Sequence, residues 1–100
     1  MREKWRNAID KFTPQLQVSL IVKPMLTRFR KTAGGFLEER EYLEVLGQCT
    51  NNEMVELLMR YSKGKEDGAF ECFCRILEED NYIMMSYLRE EAGCPSGFES

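Results

Sequence analysis

Residues 61–80 read YSKGKEDGAFECFCRILEED, and this stretch decides the fold. It opens as a loop, with Gly64 and Gly68 around three charged residues, which breaks the preceding helix and restarts the chain in a new direction. It closes as an amphipathic helix. Ala69, Phe70, Phe73, Ile76 and Leu77 recur at spacings of three and four, so they share one flank while Glu71, Arg75, Glu78 and Glu79 face away. Two phenylalanines and two larger aliphatics on one stripe need several partner helices to bury them.

Working outward, the residues before this stretch keep the same period. Thr50-Asn-Asn-Glu53 fits a capping box, and the helix it opens carries Met54, Leu57, Leu58 and Tyr61 on one face. Glu38 to Leu46 is expected to be a helix with Tyr42, Leu43 and Leu46 buried and Gly47 as its stop; carboxylates fill its first turn, where the helix dipole favours them. Trp5, Ala8, Ile9 and Phe12 mark a first helix. Thr13-Pro14 is expected to interrupt it, proline being tolerated at the start of a helix after a threonine cap, with a second short piece from Pro14 to about Val22. Lys23-Pro24 reads the same way: Pro24 opens a helix with Met25, Leu26 and Phe29 inward, ended by Gly34-Gly35. Beyond residue 80, Asn81 caps a last helix with Met84, Tyr87 and Leu88 inward, stopped by Gly93 and Pro95. Met54 and Met84 fall on apolar stripes and are read as core, Met59 and Met85 as more open. The expectation is an all-α, six-helix antiparallel bundle over residues 1–92, first helix broken at Pro14, with residues 93–100 as a flexible tail.

One hundred residues with 43% hydrophobic and 31% charged side chains suit a single compact domain with a real core. Apolar runs such as Leu20 to Val22 are far too short for a signal peptide or a membrane span, so a cytoplasmic location is expected. The four cysteines are read as reduced structural thiols. Cys72 and Cys74 stand about 200° apart on their helix, and no histidine completes a metal site, so no metal and no cofactor is expected. The missing histidine also removes the usual base for a cysteine or serine nucleophile. The acidic pairs Glu38/Glu39, Glu78/Glu79 and Glu90/Glu91 splay rather than converge, and Gly34-Gly35 has no Lys-Ser/Thr after it as a phosphate loop would. Catalysis is not expected.

The order Leu57, Leu58, Lys63, Gly64, Gly68, Ala69, Phe70, Phe73, Leu77 resembles the junction of the fourth and fifth helices in caspase recruitment domains (CARDs), of the death-fold superfamily. With the six-helix order and the broken first helix, a feature of that family, the resemblance spans about residues 2–92. It implies a Greek-key bundle and a non-catalytic function: recruitment of a CARD-containing caspase, adaptor or sensor by homotypic contacts, with homo-oligomers or helical filaments, in apoptosis or in innate-immune and inflammasome signalling. Such domains pair a basic face on the first and fourth helices with an acidic face on the second and third. The resemblance places Lys4, Arg6, Lys11 and Arg60 on the basic face and Glu38, Glu41 and Glu44 on the acidic one. The second helix departs from the pattern, carrying Arg28, Arg30 and Lys31 in place of acids.

The charge layout agrees with a two-faced domain. Residues 1–35 hold 8 basic and 2 acidic residues, a net +6, and residues 36–100 hold 6 basic and 15 acidic, a net −9, together the −3 of the chain. Opposite patches suit head-to-tail contacts that propagate when their rotation does not close. Two other readings stay open: nucleic-acid binding by the basic first third, against which the acidic remainder and a pI near 5.1 weigh, and a stand-alone decoy that caps the assemblies of others.

Overall fold

The computed structural model describes residues 3–93, which form six α-helices with no strand among them. Cys94 to Ser100, including Pro95 and the expected tail, lie outside the described residues. Helix α1 runs from Glu3 to Ser19 without interruption, and Pro14 sits inside it. The expected break is therefore absent, for a reason that lies downstream. Leu16 and Leu20 continue the stripe of Trp5, Ala8 and Ile9, and all five are buried. Burying two leucines stabilises by about 1.5–3 kcal/mol each, which offsets the roughly 3 kcal/mol that an interior proline costs. Pro14 itself is exposed, and Thr13 Oγ1 donates to the Ile9 carbonyl at 2.7 Å.

The chain after α1 is held by one side chain. Asn51 Nδ2 donates to the Leu20 carbonyl at 2.7 Å and its Oδ1 accepts from the Val22 N–H at 2.9 Å, so this amide closes α1 and orients α2 (Val22–Met25). The single helix expected from Pro24 to Gly34 is instead α2 followed by two 3₁₀ turns, Leu26–Phe29 and Lys31–Ala33. Val22, Met25, Leu26 and Phe29 still bury one face. Beyond them the chain doubles back: the Phe29 carbonyl accepts from both Phe36 (2.9 Å) and Leu37 (2.8 Å), and the Arg30 carbonyl accepts from Gly35 (2.9 Å). Gly34 turns at φ 90°, and a Cβ on Gly35 would collide with the Phe29 carbonyl.

Helices α3 (Glu39–Leu46), α4 (Asn51–Lys63), α5 (Asp67–Asp80) and α6 (Tyr82–Glu91) lie close to their expected places. The Thr50 hydroxyl accepts from the Glu53 N–H and the Glu53 carboxylate accepts from the Thr50 N–H, both at 3.2 Å. Asn81 Oδ1 accepts from the Met84 N–H. On α3 the inward face is rotated from the expected one: Glu41 and Val45 are buried, Tyr42 and Leu46 are half-buried, and Leu43 is 55% exposed. Tyr87 is likewise half exposed, whereas Met59 and Met85, expected to be open, are buried.

The core centres on the α5 stripe. Phe73 meets Phe29 with ring centroids 5.8 Å apart, and Phe70 stacks on Trp5 at 4.8 Å. Helix α1 lies antiparallel to α4, where Lys63 pairs with Asp10 and Gln17 reaches Asn52, and antiparallel to α6, where Lys11 pairs with Glu91 and Phe12 stacks on Tyr87. These contacts fix which faces of α1 remain uncovered.

Candidate interaction surfaces

The four residues of the expected basic face are all exposed, but they divide between two sides of α1. Lys4 and Lys11 are seven residues apart and share the side facing α6. There Lys11 pairs with Glu91 at 2.8 Å, and a Cβ on Gly93 would stand 2.8 Å from Lys4 Nζ. Arg6 points about 200° away from Lys4, to the α4 side, where it lines a shallow depression with Glu3, Asn7, Asp10, Lys63 and Gly64. Arg60 lies one turn before Lys63 on α4. Arg6 and Arg60 thus belong to one flank, and neither makes an ion pair among the described residues.

The expected acidic face divides further. Glu44 is exposed and makes no ion pair among the described residues. Glu38 is exposed and meets Lys31 at 3.3 Å. Glu41 is 7% exposed and bonds Lys65 Nζ at 2.7 Å, while also accepting from the Glu38 N–H at 3.0 Å. Burial pushes the Glu41 carboxyl up, but the Lys65 ammonium, the Glu38 N–H and the Arg40 charge outweigh it and hold Glu41 below the ordinary carboxylate range. Its stabilising effect is therefore present above that range and fades as pH falls through the depressed value. Glu41 ties α3 to the loop before α5 and is not a surface group: Glu41→Lys would set an ammonium against Lys65 inside the domain.

The three cations that departed from the family pattern also find partners. Arg28 meets Glu79 at 3.2 Å and Asp80 at 2.6 Å, Lys31 meets Glu38, and Arg30 pairs with Glu39 while stacking 4.6 Å over the Tyr42 ring. Arg30 and Lys31 neutralise Glu39 and Glu38 at the start of α3, so the acidity of that helix is concentrated at Glu44, beside exposed Arg40 and Leu43. No sequence pattern announced this pairing, because it depends on the doubled-back course of residues 29–37.

A cleft of about 620 Å³ opens between residues 31–38 and the start of α5, and Lys31, Phe36, Lys65, Cys72 and Arg75 line it. Cys72 Sγ donates to the Gly34 carbonyl at 3.3 Å, and burial pushes the thiol up against the opposing effect of Arg75. A raised thiol with its hydrogen engaged is poorly suited to nucleophilic attack. Among the described residues, no three His, Cys, Asp or Glu side chains are grouped to hold a metal, and no helix is long and apolar enough to cross a membrane.

Comparison with protein-family models, with curated proteins and with solved structures finds no match to this chain.

Proposed function

We propose that this chain is a non-catalytic interaction module of the caspase recruitment class, a Greek-key death-fold bundle that acts in the cytoplasm and recruits a CARD-containing caspase, adaptor or sensor. The observation that carries the reading is the pair Arg6 and Arg60. Both are exposed on the α1/α4 flank without an ion pair among the described residues, and the outer surface of α3 offers Glu44 likewise exposed. A cationic pair and an exposed carboxylate on different helices would make a heterologous contact, which propagates when its rotation does not close. Charge would steer the encounter and set register, leaving each contact modest in affinity. The uninterrupted α1 withdraws one of the features behind the family reading. The Lys63-Gly64, Gly68-Ala69-Phe70 junction and the α5 stripe remain to support it. Nucleic-acid binding loses ground, because Lys11, Arg28, Arg30 and Lys31 of the basic third are engaged with acids of the same chain.

The test is light scattering with size exclusion over a range of protein and salt concentration, followed by negative-stain imaging. Assemblies that dissolve as salt rises, and that Arg6→Glu with Arg60→Glu abolishes at unchanged melting temperature, support the module. Assembly untouched by these substitutions removes the flank from the contact. Binding to another such domain with no self-assembly identifies the capping decoy.

A further inference from the structure

Six large apolar side chains stand exposed among the described residues, and four of them, Val18, Ile21, Ile83 and Tyr87, lie along the seam of α1 and α6. The antiparallel register places them. Phe12 stacks on Tyr87 at 6.2 Å, Ile83 lies one turn before Tyr87 on the same side of α6, and Val18 lies seven residues after Lys11 on the side of α1 that reaches Glu91. Ile21 borders a depression shared with Asp80 and Asn81, directly before α6. The result is an apolar ledge, its members 86%, 61%, 64% and 50% exposed in chain order. A concentration of this kind on a small domain marks a contact surface.

The two ends of the ledge carry opposite charge. At the Tyr87 end stands Glu90, in a depression with Phe12 and Glu91; at the Ile21 end stands Lys23. Both are exposed, and neither makes an ion pair among the described residues. We propose that this ledge is a face-to-face contact between two copies of the chain, related by a two-fold axis across its middle. That axis lays apolar side chains on their counterparts and brings Lys23 of each copy to Glu90 of the other. A purely acidic or purely basic partner would answer one end and oppose the other. An isologous contact closes at two copies, which sets it apart from propagating assembly through the α1/α4 flank.

Sedimentation equilibrium of the full chain, from micromolar to millimolar concentration, tests this. A monomer–dimer equilibrium is expected that survives high salt, where charge-steered assembly dissolves. Ile83→Glu and, separately, Val18→Glu weaken it at least about tenfold while circular dichroism and the melting temperature stay unchanged. Lys23→Glu alone weakens it at low salt, and adding Glu90→Lys restores it. Arg6→Glu leaves it intact, so this contact and the flank contact fail separately. A monomer at every concentration, a dimer indifferent to Ile83→Glu, or growth past the dimer that Ile83→Glu abolishes would each overturn the proposal.

Discussion

Two prolines ten residues apart meet opposite fates. Pro14 and Pro24 follow Thr13 and Lys23 and look alike in the sequence, each a candidate first residue of a new helix. Pro14 lies in the middle of α1, and the helix passes through it for another turn and a half. Pro24 lies in the four-residue α2, after which the chain falls into 3₁₀ turns and doubles back. What separates them is the requirement of the residues that follow. After Pro14, Leu16 and Leu20 reach the core only if helical periodicity continues. After Pro24, Phe29 and Leu37 must both be buried although only eight positions apart, and the Phe29 carbonyl is taken by the returning strand of chain rather than by a further turn of helix. The difference also shapes the surface. Arg6 on uninterrupted α1 stays exposed, while the doubled segment brings Arg30 and Lys31 onto Glu39 and Glu38.

The strongest way to break this contrast is at Gly35, where a Cβ would stand 2.6 Å from the Arg28 carbonyl and collide with that of Phe29. Gly35→Ala is expected to destabilise by about 3 kcal/mol, the upper end for overpacking, measured by urea denaturation. It should also release Glu38 and Glu39 from their cations and raise the acidity of the α3 surface. A change below about 0.5 kcal/mol, the range of neutral surface substitutions, would mean that the doubled-back segment is not fixed by this contact.

How far the sequence disclosed this arrangement depends on what each residue answers to. The α5 stripe, the Thr50 and Asn81 caps and the burial of Phe70, Phe73 and Leu77 follow from period and local hydrogen bonding, so they were legible. The course of residues 22–37 was not, since it is decided by backbone bonds to Phe29 and by the amide of Asn51, 29 residues from Val22. Glu41 misled for the same reason. On the helix alone it is one carboxylate among several, and only Lys65, 24 residues away, makes it an internal tie. Leu43 and Val45 exchanged roles because α3 is short, and its rotation is set by what it packs on rather than by its own pattern.

The sharpest comparison replaces each proline by alanine. In α1 the substitution supplies an N–H to the Asp10 carbonyl, four residues back, and removes the ring from the helix interior. Alanine exceeds proline there by about 3 kcal/mol of helix propensity, reduced by roughly 0.4–1 kcal/mol for the freer unfolded chain, so Pro14→Ala should stabilise by about 2 kcal/mol. Pro24 is the third residue of α2, where the N–H has no partner within the helix in any case. Pro24→Ala therefore gains no bond and loses only the restriction on the unfolded state, a destabilisation of about 0.5 kcal/mol. Opposite signs in paired urea melts are the expected outcome. Stabilisation by both would place Pro24 in a frustrated helix that the 3₁₀ turns merely relieve. Destabilisation by Pro14→Ala would mean that the packing of α1 against α4 and α6 has adapted to the proline, and that the buried leucines beyond it are held by that adapted shape.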